Sequence, residues 1–241
     1  MVQLDHVAVA VKRIEDALPV VVSTLGGQPG RAGPGDGFDW YTWSFLGGGS
    51  LEVLIPNGPP DGFLRRFLKT HGPGIHHLTF YVPDLRKACD LAEHRGYRIV
   101  GYNDSHADWQ EAFLFPKQAL GIVVQLARSS PEHESEGYGR NAATPKGEPP
   151  DPVRFVGLRM AAPSEAAARR LFEDALRGKA GEIERGLAFS WPESPLRVAV
   201  EIDPDAPVGP VGLEFESQRE IPLLAAPALP ELGARLLVAR D

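Results

Sequence analysis

Short apolar runs punctuated by glycine and proline fill the first half of this chain, and they come in a repeated order. Residues 2–11 are apolar or small apart from Gln3, Asp5 and His6, which predicts a buried strand. A helix is expected over residues 13–25, with Pro19 in a first turn or at a break. Residues 26–37 are rich in Gly and Pro and carry no clear period. Residues 38–45 and 50–55 read as a hairpin around Gly47-Gly48-Gly49. Phe63, Leu64, Phe67 and Leu68 place one apolar face on a short helix over 61–70.

The order then restarts at Gly74. A strand runs to Pro83-Asp84, Asp84 is placed to cap a helix over 85–95, and Gly96 to stop it. Strands follow near 97–103, 109–115 and 121–127. Residues 129–151 are polar, with no surviving apolar period, and read as a linker or a surface crossover. The pattern returns a third time: a strand over 153–162, a helix opened by Ser164 and ended by Gly178, and strands near 181–190, 196–203 and 209–216. Residues 217–241 are apolar but irregular, with 234–239 a final strand or helix.

The expected fold class is therefore α+β: tandem βαβββ modules forming a curved mixed sheet, two complete and a third degenerate. The paired modules, 1–60 and 74–128, make a domain over 1–128. A linker over 129–151 leads to the degenerate third module and tail over 152–241. With its partner module missing, the third sheet face needs cover from the tail, the first two modules or another subunit.

The repeat places chemistry at matched positions. His6 lies near the start of the first strand and His77, 71 residues on, near the start of the second module's. Glu52 follows His6 by 46 residues, and Gln125 follows His77 by 48. Two imidazoles, a carboxylate and a carboxamide suit one octahedral divalent ion, so His6, Glu52, His77 and Gln125 are the expected metal ligands. The ion is one of Co, Mn, Ni, Zn, Mg or Fe. The third module has Gly157 in the histidine place, and Glu214 is expected on its last strand. Strand alternation puts Asp5 and His76 outside the ligand set, His76 on the opposite face from His77. Trp40, Tyr41, Trp43 and Phe45 crowd one strand as pocket lining or as core. Arg65, Arg66 and Lys69 either meet an anionic group or face solvent.

Composition narrows the partners. Over 241 residues the net charge is −7, which argues against nucleic acid, whose phosphates need a basic face. No apolar run reaches a membrane span, no basic and apolar leader opens the chain, and Cys89 is its one cysteine. The expectation is a cytoplasmic protein with a small-molecule substrate, no membrane and no nucleic acid, and with a homodimer left open.

The first 128 residues or so resemble the vicinal oxygen chelate (glyoxalase/bleomycin resistance/dioxygenase) superfamily, and methylmalonyl-CoA epimerases within it. The likeness rests on Leu4-Asp5-His6-Val7-Ala8, on Leu51-Glu52-Val53-Leu54-Ile55-Pro56, and on Gly74-Ile75-His76-His77-Leu78. It extends to Phe113-Leu114-Phe115-Pro116-Lys117 leading to Gly121-Ile122-Val123-Val124-Gln125-Leu126. The resemblance implies a metal-dependent lyase or isomerase that moves a proton through a metal-stabilised enediolate on a small oxygenated substrate, acyl-CoA included.

Epimerases of that family carry Gln where this chain has Glu52 and Glu where it has Gln125. Their further glutamate, an acid/base group, lies on the first module's third strand, near Thr42 here. The mirror position in the second module is near Glu111, which is the expected catalytic base. Two alternatives share the scaffold. One is a non-haem iron extradiol-type dioxygenase using His6, His77 and Glu52; the other is a non-catalytic small-molecule-binding protein.

Overall fold

The structure is a computed structural model that describes residues 1–130, 139–141, 143 and 147–240. The first module runs β1 (Gln3–Ala10), α1 (Ile14–Leu18), β2 (Gln28–Pro34), β3 (Phe38–Ser44) and β4 (Ser50–Pro56). Pro19, with no N–H to give, sits where α1 loosens into wider turns over 19–24, and Leu25 N–H closes them on the Val20 carbonyl. The helix α2 (Phe63–His71) leads to the second module: β5 (Gly74–Tyr81), α3 (Leu85–His94), β6 (Ile99–Asn103), β7 (Trp109–Leu114) and β8 (Val123–Ser129). Asp84 caps α3 by accepting from Lys87 N–H at 3.0 Å, as the sequence suggests.

Both modules and a short edge strand, β9 (Gly139–Arg140), build one nine-stranded sheet, ordered β6-β7-β8-β5-β1-β4-β3-β2-β9. At its centre β1 and β5 run antiparallel, and each has its own module's last strand parallel on the other side. That arrangement is a local twofold, and it brings matched positions of the two modules together. The edge strand β9 (Gly139–Arg140) comes from the segment read as linker or crossover and pairs with β2. The expectations for 131–138, 142 and 144–146 lie outside the described residues.

The sheet has two distinct faces. Val7, Val9, Leu51, Val53, Leu78, Phe80, Val124 and Leu126 point into the main core. On the other face His6, Ala8 and Ala10 alternate with them. There Ala8, Ala10 and Leu54 receive Leu64 and Leu68 of α2 in a separate small core, flanked by Phe38, Trp40 and Phe67. The aromatic strand is thus split: Trp43 and Phe45 are core, while Trp40 borders the second face.

The later residues form β10 (Arg154–Ala162), α4 (Glu165–Arg169, continuing in wider turns to Ala175), β11 (Lys179–Ile183), β12 (Gly186–Ser190) and β13 (Arg197–Ile202). After them come β14 (Gly209–Glu216) and β15 (Leu236–Val238). The six-stranded sheet is ordered β11-β12-β13-β10-β14-β15, the order of the first sheet without β6, β7 and β9. Its apolar face shares the main core. Phe45 meets Phe155 and Phe215 at 5.8 Å, and Phe80 meets Trp191 at 4.9 Å between ring centroids.

Strand pairing corrects one expectation. The strand parallel to β10, as β4 is to β1, is β13 and not β14. β14 lies antiparallel to β10 as β5 does to β1, and β15 lies parallel to β14 as β8 does to β5. Glu214 therefore stands on the first strand of a reduced fourth module. In register it matches Thr79; Ala199 takes the place of Glu52, and Leu237 that of Gln125. Gly157 and Gly212 occupy the places of His6 and His77. A Cβ on Gly157 would lie 2.0 Å from the Arg197 carbonyl oxygen, and on Gly212 2.7 Å from that of Arg235. The second sheet has no room for the histidine pair.

Candidate metal centre

The central strands bring His6, Glu52 and His77 together on the face away from the main core. One potential ligand atom from each lies within 4.8 Å of the others, the one such group of His, Cys, Asp or Glu among the described residues. Glu52 Oε1 is 3.5 Å from His6 Nε2 and 3.6 Å from His77 Nε2. All three side chains are nearly buried. Two imidazole nitrogens and a carboxylate gathered at one point fit a divalent cation.

Each histidine is held from behind by the residue before it, and a β-bulge is the reason. Leu4 and His6 face Phe80 and Thr79 in succession, so Asp5 is an extra residue in β1. Ile75 and His77 face Val9 and Ala8 in succession, so His76 is an extra residue in β5. The inserted residue turns toward its neighbour. Asp5 Oδ2 lies 2.7 Å from His6 Nδ1, and His76 Nδ1 lies 2.9 Å from His77 Nδ1. Strict alternation had put His76 on the opposite face; the bulge overrides it. The His76 ring packs against Phe67 and Phe63 at 4.8 and 5.9 Å. The second sheet keeps both bulges, with Val156 and Val211 at the inserted places.

The two supports differ in charge. Burial alone would lower the His6 pKa, but the charge of Glu52 and the hydrogen bonds that the ring donates to Asp5 and Glu52 outweigh it and raise it to about 10. Burial lowers His76 to about 4, and burial with the neighbouring His76 and His6 holds His77 well below its ordinary value. His77 is thus neutral near pH 7, while a cation taking His6 Nε2 must displace a proton. Metal affinity should rise with pH by up to about tenfold per unit between pH 7 and 9, flattening as pH approaches the His6 value. Chelator competition across that range, with proton release followed in paired buffers, checks the sign. An affinity flat in pH would contradict it.

Gln125 joins through a hydroxyl that sequence reasoning missed. Thr79 Oγ1 donates to Gln125 Oε1 at 2.6 Å and lies 2.9 Å from His6 Nε2. Gln125 Nε2 donates to Glu111 Oε2 at 2.7 Å, and Trp109 Nε1 donates to the same oxygen at 3.0 Å. Glu111 accordingly sits on the face that carries the histidines, one side chain beyond Gln125. The threonine is a polar residue in an apolar strand, in phase with His77; that was the available signal.

Thr42 pairs directly with Glu52, and its hydroxyl bonds the Arg31 backbone in both directions, so no acid stands there. Register makes Phe113 the counterpart of Thr42, and Trp40 that of Glu111, a two-residue offset on the same face. Arg65 reaches the carbonyls of Gly58 and Pro56, and Arg66 that of Asp61, so both guanidinium groups tie down the loop before α2. Cys89 is buried in α3, and burial pushes its thiol up to about 11.

Comparison with known proteins follows this geometry. The family profile described as the glyoxalase/bleomycin resistance protein/dioxygenase superfamily matches residues 5–113. An ethylmalonyl-CoA/methylmalonyl-CoA epimerase of Cereibacter sphaeroides is 33% identical over 134 residues, which is 52% of this chain and 96% of that protein. The human mitochondrial methylmalonyl-CoA epimerase is 29% identical over 135 residues, 53% of this chain and 74% of that protein. A variant of 4-hydroxymandelate synthase from Streptomyces coelicolor superposes with a TM-score of 0.59 at 15% identity. It covers 88% of this chain and 70% of that one, a likeness of fold that reaches into the second sheet.

Proposed function

The chain belongs to the glyoxalase/bleomycin resistance/dioxygenase superfamily, and on that premise we propose that it is a divalent-metal-dependent epimerase of small acyl-CoA thioesters. The observation that carries this reading is the buried His6, Glu52 and His77 group on the sheet of the epimerase-like half.

His6 Nε2, His77 Nε2, Glu52 and the Gln125 carboxamide oxygen would hold the ion. When bound, a divalent ion supplies Lewis-acid polarisation of the substrate's oxygens and stabilises the charge that develops as a proton leaves the adjacent carbon. The protein's own work is then positional and protolytic. Asp5 and His76 fix the two imidazoles. Phe63, Phe67 and Trp40 line the α2 side with apolar surface. Glu111 takes the proton: its Oε2 is occupied by two N–H donors, which leaves Oε1 for the substrate. Relative to the family's epimerases, the carboxylate and carboxamide ligands have changed sides, an exchange that the local twofold makes equivalent around one ion. The base has moved to the second module too, two residues along β7 from the counterpart of Thr42.

The test is solvent exchange. Protein loaded with Co or Mn and incubated in deuterium oxide with methylmalonyl-CoA or ethylmalonyl-CoA should lose the α-proton signal, and chelator-treated protein should not. Absence of exchange across malonyl-type thioesters with a fully loaded protein would refute the epimerase reading. One observation favours a second reading. Two His and one carboxylate suffice for a non-haem iron facial triad, and His6, Glu52 and His77 are the group that converges. Oxygen consumption by iron-loaded protein, without α-proton exchange, would select it.

A further inference from the structure

We infer that Thr79 is a positioning residue that makes Gln125 an oxygen ligand by fixing which end of its carboxamide faces the ion; this rests on the metal reading above. The two ends of a carboxamide are alike in shape, yet only the oxygen can bind a hard cation. Something else must choose the flip, and here both ends are chosen. The Thr79 hydroxyl donates to Oε1, and Glu111 accepts from Nε2. The reverse flip would set the carboxamide oxygen 2.7 Å from a carboxylate oxygen.

With its one proton directed at Gln125, the Thr79 oxygen accepts from His6 Nε2–H in the metal-free site and gives up that bond when a cation takes the nitrogen. A single hydroxyl thus touches ligands from both modules. Register explains how: Thr79 is the direct cross-strand partner of His6 on one side and of Gln125 on the other. It is fully buried, so no water competes for either bond. A carbonyl oxygen has two lone pairs, so accepting from Thr79 leaves one for a cation. The second sheet repeats the logic independently. Its residue in the Thr79 register, Glu214, is also the one that organises the side chains around it, Arg159 and Arg197.

The experiment measures Co(II) affinity by chelator competition, and the Co(II) absorption spectrum, for wild type, Thr79→Val, Thr79→Ser, Gln125→Ala and the Thr79→Val/Gln125→Ala double variant. Thr79→Val keeps the side-chain volume. It should weaken affinity about tenfold and move the spectrum toward that of Gln125→Ala. Thr79→Ser should restore both, and Thr79→Val should add nothing once Gln125 is alanine. Wild-type affinity and spectrum in Thr79→Val would overturn the inference, as would an undiminished further loss in the Gln125→Ala background. His77→Ala separates the two levels. If it retains wild-type Co(II) affinity, the metal reading itself fails and takes the inference with it. If it loses the ion while Thr79→Val behaves as wild type, only the role of Thr79 is lost. Should Thr79→Val misfold by circular dichroism, Thr79→Ala and Thr79→Ser carry the same comparison.

Discussion

Glu111→Gln should leave metal uptake intact and slow α-proton exchange of an acyl-CoA substrate by roughly a hundredfold to ten-thousandfold. The substitution is chosen so that geometry survives. Glu111 Oε2 accepts from the Gln125 amide and the Trp109 indole, and a glutamine oxygen can accept from the same two donors. Gln125 keeps its orientation, the ion keeps its fourth ligand, and the site loses only the ability to take a proton. A loss confined to turnover, with Co(II) affinity and spectrum unchanged, assigns Glu111 the base. Exchange within a few-fold of wild type would mean that another group moves the proton. Trp40 gives an internal control: it stands at the matching register of the first module and carries no acid. Trp40→Phe should therefore change the wall of the site but not the proton step.

The repeated histidine strand made the site legible because its two copies announce both the register and the twofold. Once β1 and β5 are antiparallel neighbours, near-equal spacing from His6 to Glu52 and from His77 to Gln125 brings all four to one region. What the sequence concealed are departures from period two. The bulges at Asp5 and His76 add one residue to one strand of a pair, and nothing in the residue types marks the extra one. The supports behind the histidines were invisible for that reason, although Asp5 and His76 adjoin them in the chain. The reduced fourth module hid differently. Its first strand follows β13 after a short loop, without the helix that separates β4 from β5, so the run of residues 209–216 reads as one more strand of the module before it.

Glu214→Ala should destabilise the protein by about 3–5 kcal/mol, read as a lower urea midpoint with unchanged slope. Glu214 is fully buried on the site-like face of the second sheet. It accepts from Arg159 Nε at 2.7 Å and from Arg197 Nε at 3.2 Å; Arg159 Nη1 also reaches Glu201 Oε1 at 2.9 Å, and Arg197 Nη2 the Arg240 carbonyl at 2.7 Å. In register Glu214, Arg159 and Arg197 match Thr79, Ala8 and Ser50 of the first sheet, while Gly157, Gly212 and Ala199 stand where that sheet has His6, His77 and Glu52. Deleting Glu214 strands the nearly buried Arg159 with only Glu201 for a counter-charge. Glu201 is more exposed, and Glu201→Ala should cost under about 1 kcal/mol, because water can replace what it offers. The pair of variants separates burial from mere ion-pair count, since both remove a carboxylate from the same guanidinium. Equal losses would mean that burial of Glu214 is not the source of its effect. Replacing Arg159 and Glu214 together by leucine should recover the part of the loss that comes from Arg159, for that penalty lies in the orphaned charge and not in the missing pair. The second sheet then holds its shape by ion pairing on the face where the first holds its chemistry.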